Sequence, residues 1–188
     1  MRRLLIAPAL AVMFCVAPAS AESPTAAPSA SPVQPLDRLQ WLVGGVWTAD
    51  ASKLGGGMSR IETRYESVAD GNLIRFTTAF IDAHENVVNR YAGNFYVDPA
   101  TARIKTWYLS SKNEITHGDV AIDPATVTLL ITEAPEPDAP PQYRVVIAPE
   151  NGLGSDYHQV YVWKLSARDG DAWKPMFGLT YARPHAIR

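Results

Sequence analysis

Arg60-Ile61-Glu62-Thr63-Arg64-Tyr65-Glu66-Ser67 places a charged residue at every second position, with Ile61, Thr63 and Tyr65 between them. Successive side chains of a strand point to opposite faces. The spacing therefore predicts Arg60, Glu62, Arg64 and Glu66 toward solvent and Ile61, Thr63 and Tyr65 inward. Asp70-Gly71 follows as a hairpin signal, and Ile74, Phe76, Thr78 and Phe80 then alternate with Arg75 and Thr77 on the returning strand. The polar run Ala83-His84-Glu85-Asn86 offers the next turn.

The period of two holds on both sides of this hairpin. Toward the C-terminus it predicts strands at 87–97, 103–110, 114–122, 126–132, 142–148, 157–166 and 173–183. They are punctuated by Asp98-Pro99-Ala100-Thr101, Asp123-Pro124-Ala125, the run from Glu133 to Pro141, Asn151-Gly152-Leu153-Gly154 and Arg168-Asp169-Gly170-Asp171. Toward the N-terminus a first strand falls at Val46–Asp50, and Gly55-Gly56-Gly57 lets the chain turn into the second. About ten sequential strands with short turns and no helical crossover predict an all-β, up-and-down antiparallel β-barrel, since closure removes exposed edges. With no long Greek-key connection in view, a barrel is favoured over a sandwich. Before the first strand, Leu36, Leu39 and Leu42 or Val43 recur at helical spacing with Gly44 as a stop, predicting a short helix that must cover something.

Met1-Arg2-Arg3, the apolar run Leu4 to Val16 and the small residues Ala17 to Ala21 have the three parts of a secretory signal, which predicts cleavage after Ala21 and a periplasmic or secreted location. The apolar run is roughly 13 residues, short of the roughly 20 that a membrane-spanning helix needs, so no membrane span is expected after cleavage. Residues 22–35 are mostly Ser, Pro, Thr and Ala and are expected to be a disordered linker to a single domain over 36–188. Cys15, the chain's one cysteine, lies in the signal, so the mature chain has no disulfide, thiol nucleophile or zinc–thiolate site. Net charge is -2 for the whole chain, and loss of Arg2 and Arg3 makes it more acidic. Without a basic stripe, nucleic acid and anionic lipid are not expected partners.

Several segments resemble known proteins. Leu39-Gln40-Trp41-Leu42-Val43 running into Gly44-Gly45-Val46-Trp47 is similar to the opening of calycin-like barrels: lipocalins, fatty-acid-binding proteins and the nitrobindin type of haem barrel. Glu62-Thr63-Arg64-Tyr65, Tyr91-Ala92-Gly93-Asn94-Phe95-Tyr96-Val97-Asp98-Pro99, Trp107-Tyr108 and Tyr181-Ala182-Arg183 resemble an uncharacterised family of exported bacterial proteins with a lipocalin-like domain. The resemblance covers about residues 36–183. It implies that Gly45 and Trp47 form the barrel-closing Gly-x-Trp element and that Arg183 packs over the Trp47 ring. Nitrobindin-type barrels carry a longer Gly-rich signature and a histidine ligand near the C-terminus. Here Trp47 is followed by Thr48-Ala49-Asp50 and His185 lies beyond the last strand, so the resemblance brings no haem ligand with it.

Aromatic residues crowd the proposed strands. One reading is a packed core; the other is a lumen lined by aromatic rings with a few polar handles. On the second reading Phe76, Tyr91, Trp107, Gln159, Tyr161 and Trp163 bind the ligand, with Tyr157, Gln159, Tyr161 and Trp163 on one inward face. Trp173, Phe177, Leu179 and Tyr181 share a face with Arg183 in the last strand. The four histidines, His84, His117, His158 and His185, have no metal-ligand spacing, and no metal is expected. His117 and Asp119 fall on one strand face unless Gly118 marks a bulge between them. Ser110-Ser111-Lys112 sits at a hairpin without a nucleophile's spacing, so no catalytic residue and no cofactor are assigned. The expected function is binding of a small apolar or amphipathic molecule in the lumen. The rivals are an enzyme using the same cavity, of a haem-dependent or cofactor-free isomerase or cyclase type, and a structural module with a filled core.

Overall fold

A computed structural model of the chain describes residues 35–123, 126–132, 140–150 and 160–183. The chain divides into Met1–Pro32 and Val33–Arg188, and only the second unit holds described residues. The expected signal segment and, apart from Pro35, the linker lie outside them, as do Tyr157, His158, Gln159 and His185.

Ten strands follow in order: β1 Trp47–Asp50, β2 Met58–Val68, β3 Leu73–Asp82, β4 Val87–Val97, β5 Ile104–Ser110, β6 Ile115–Asp123, β7 Thr126–Thr132, β8 Tyr143–Pro149, β9 Val160–Asp169 and β10 Ala172–Ala182. Each pairs antiparallel with its sequence neighbours, and β10 returns to β1, closing the barrel in up-and-down order. The alternation in β2 holds: Ile61, Thr63 and Tyr65 are buried while Arg64 and Glu66 are exposed. On the outer face Arg60 bonds Glu62 at 2.9 Å and Glu85 at 2.6 Å, and Arg75 bonds Glu66 at 2.7 Å. These surface pairs contribute little to stability. The turn at Ala83–Asn86 is organised by Asp82, whose carboxylate accepts the backbone N–H groups of His84 and Asn86, each at 2.8 Å.

The N-terminal helix, Pro35–Leu42, is of 3₁₀ type and not an α-helix. Its buried residues explain why: Leu36, Leu39 and Leu42 are spaced by three, and at three residues per turn they align in one row. That row packs into the barrel core, and Arg38 Nη2 donates to the Ile122 carbonyl at 2.7 Å, so the helix caps the end where β1 begins. Gly44 and Gly45 then turn the chain at φ +89° and +69°, a region that favours glycine. Among the described residues no helix is long and apolar enough to cross a membrane.

β10 departs from strict alternation. The pairing with β9 shifts between Pro175 and Phe177, leaving Met176 as the extra residue of a bulge. Trp173 is thereby taken off the face it was expected to share with Phe177. It lies outside, with the Arg144 guanidinium 5.3 Å from its ring centroid. The bulge also accommodates Pro175, which cannot donate to a regular ladder.

Candidate functional site: an aromatic lumen with a hydroxyl floor

The barrel encloses a cavity of about 390 Å³, within the range of small-molecule sites. Its walls differ chemically. From β2 to β5, Tyr65, Phe76, Phe80, Tyr91, Phe95 and Tyr108 line it. Adjacent rings sit at aromatic-contact distance: Phe76 to Phe95 at 5.3 Å, Tyr91 to Tyr108 at 5.5 Å and Phe80 to Tyr91 at 5.4 Å. The opposite wall, from β7 and β8, is mainly aliphatic: Leu129, Ile131, Val145 and Ile147. Met176 and Phe177 also line the cavity yet are 54% and 38% exposed, so the bulge in β10 forms part of its mouth.

Gly93 lets the aromatic wall close up. It faces inward between Phe76 on β3 and Tyr108 on β5, its partners across the two ladders. A Cβ there would overlap the Trp107 carbonyl oxygen and the Tyr108 side chain and lie 2.7 Å from Phe76 Cζ. A glycine inside a strand is a sequence signal of such close approach.

The floor is built from Trp47, Tyr161 and Tyr181. Trp47 is fully buried, donates Nε1–H to the Leu42 carbonyl at 2.7 Å, and meets the Tyr161 ring edge-on at 4.7 Å between centroids. On its other side the Arg183 guanidinium lies 4.5 Å from the indole centroid and donates to the Val43 and Gly44 carbonyls, both at 2.9 Å. A Cβ on Gly45 would come within 3.3 Å of Arg183 Cδ. Above the indole, Tyr161 and Tyr181 are stacked at 4.7 Å and 14°. The Tyr65 hydroxyl neighbours that of Tyr161, the Tyr181 hydroxyl neighbours Thr63, and Thr63 Oγ1 lies 3.0 Å from Thr78 Oγ1.

Burial raises the pH at which these phenols ionise. Tyr65 is pushed up to about 12, opposed by the neighbouring Tyr161 hydroxyl, and Tyr161 and Tyr181 are raised further above the ordinary tyrosine value, again chiefly by burial. An unfolded tyrosine ionises near 10. Above that pH the unfolded chain loses protons that the folded floor retains, so stability falls as pH rises. Stability should be level through pH ~9 and decline between about pH 10 and 12. In an alkaline titration followed by phenolate absorbance and circular dichroism, the floor tyrosines should ionise only as the barrel unfolds. All eight tyrosines of the chain titrating near pH 10 with the β-sheet signal intact would contradict a buried floor.

Of the residues the sequence nominates for the lumen, Phe76, Tyr91, Tyr161 and Trp163 line it. Trp107 does not. It points outward and is 38% exposed, because Thr106, Tyr108 and Ser110 occupy the inward positions of β5. Lys105, two residues earlier and therefore on the same face, was the available signal for that register. Gln159 lies outside the described residues. Tyr65, Tyr108 and Tyr181 are floor or wall residues that the nomination missed. β6 pairs with β5 without a bulge at Gly118, so His117 and Asp119 share the outer face, where Asp119 lies 3.7 Å from Lys105 Nζ. Among the described residues no three of His, Cys, Asp and Glu come together. In comparisons with known proteins, no family model and no curated protein matches the chain.

Proposed function

We propose that this protein is exported, with residues 1–21 as its signal, and that its barrel, of the calycin-like kind, binds a small apolar or amphipathic molecule in the lumen. The observation that carries the reading is the cavity itself: about 390 Å³ of space inside a closed barrel, walled by aromatic and branched aliphatic side chains. A filled-core module would place those side chains in mutual contact across the axis. The lining favours binding over catalysis. Among the described residues its titratable side chains are tyrosines, and none is a histidine or carboxylate placed to move a proton.

The test is fluorescence titration of the whole chain with N-phenyl-1-naphthylamine, an uncharged dye that brightens in apolar surroundings. Saturable brightening at roughly one dye per chain is expected. Leu129→Trp, which fills the lumen from its aliphatic wall, should weaken binding at least about tenfold while leaving the β-sheet circular dichroism unchanged. No saturable brightening, or brightening indifferent to Leu129→Trp, would overturn the reading.

A further inference from the structure

The binding reading leaves the ligand's chemistry open, and the floor narrows it. Each hydroxyl carries one proton to donate. Tyr65 and Tyr161, as neighbours, can share at most one hydrogen bond, which uses one of their two protons. Thr63 and Thr78 share one bond and Thr63 can share at most one more with Tyr181, which together use at most two of the three protons. Each group therefore retains at least one O–H proton, and the stacking of Tyr161 on Tyr181 sets the two groups side by side at the bottom of the cavity. A carbonyl oxygen has two lone pairs and accepts two hydrogen bonds, matching this pair of donors.

Charge is treated differently. Arg183, a cation at this end, lies beyond the Trp47 ring and is bonded to backbone carbonyls. Among the described residues, the cavity lining contains no Lys, Arg, His, Asp or Glu. An ion entering it would leave water without a counter-charge, which is far more costly than burying a neutral polar group.

Resting on the binding reading above, we infer that the lumen selects uncharged carbonyl compounds, ketones or their chemical equivalents, held by the two hydroxyl groups of the floor, and rejects carboxylates of the same chain length. The two ligand classes differ in one functional group, so a matched pair separates them.

The experiment is displacement of N-phenyl-1-naphthylamine from the whole chain at pH 8 by 2-dodecanone and, separately, by dodecanoate. The ketone should compete at least about thirtyfold better. Tyr181→Phe and Tyr65→Phe, which keep the rings, should each lower ketone affinity about five- to tenfold more than they lower dye affinity, measured in parallel on the same variant. Dodecanoate competing as well as the ketone, a ketone that fails to compete, or ketone affinity unmoved relative to dye affinity in both variants would overturn the inference while the bound dye leaves lumen binding intact. Failure of the dye itself to bind would remove both.

Discussion

Replacing Trp47 with alanine should destabilise the barrel by about 3–5 kcal/mol, the range for deleting a large buried aromatic side chain. Three separate losses combine. The indole is fully buried, so its removal opens a void against Tyr161 and Trp41, whose rings lie 4.7 and 6.4 Å away. The Leu42 carbonyl loses the donor it has at 2.7 Å, and the Arg183 guanidinium loses the ring face on which it rests. A net folding stability of about 5–15 kcal/mol is usual, so this one change removes a large part of it. Urea denaturation followed by circular dichroism measures the effect directly, and the melting temperature should fall by about 10–15 °C. Trp47→Phe separates the contributions: it retains most of the packing and loses the N–H, and should cost about 1–3 kcal/mol. A Trp47→Ala loss below about 1 kcal/mol would remove the residue from the barrel floor.

Gly93→Val should cost about 3 kcal/mol or more and abolish dye binding. Overpacking ordinarily costs about 1–3 kcal/mol when side chains can adjust. Here the first obstacle is the Trp107 carbonyl oxygen, part of the backbone of the neighbouring strand, and the second is Tyr108 at its Cβ. Neither moves without displacing β5 from β4. Phe76 is the softer neighbour, but moving it breaks its contacts with Phe95 at 5.3 Å and Tyr108 at 6.2 Å. Ala92→Val is the control, because Ala92 is exposed on the outer face one residue away and its replacement should stay within about 0.5 kcal/mol. Equal stabilities of the two variants would show that the wall at Gly93 is not tight.

The two residues also mark where sequence reasoning reaches and where it stops. Alternation as strict as that of Arg60 to Glu66 sets both the strand and its buried face, because one face is charged throughout. The chain of short turns then leads to a closed barrel by the requirement that edges be paired. Trp107-Tyr108 defeats the same logic locally. Both positions are aromatic, so their period decides nothing, and only Lys105 distinguishes the faces. In β10 the spacing of Trp173 and Phe177 is that of one face until an inserted Met176 changes the count, and a bulge leaves no periodic mark in a single sequence. The floor cluster depends on Thr63, Tyr65, Thr78, Tyr161 and Tyr181 converging from four strands, a juxtaposition that exists only once the barrel has closed.

That closure has a timing of its own. Every other ladder in the barrel joins strands that follow one another along the chain, so each can zip as soon as its second strand has emerged. The seam between β1 and β10 cannot. Thr48 must find Ala182, and Arg183 must reach the Val43 carbonyl 140 positions away. Contacts between such distant positions are slow to form, so the growing sheet remains an open ribbon with β1 unpaired on one side until residue 183 is available. A nascent chain caught in that interval presents a bare strand edge, the feature most prone to capture by another chain. The ladder between β1 and β10, with Arg183 bonded to the Val43 and Gly44 carbonyls beside it, is thus the seam that removes the last open edge.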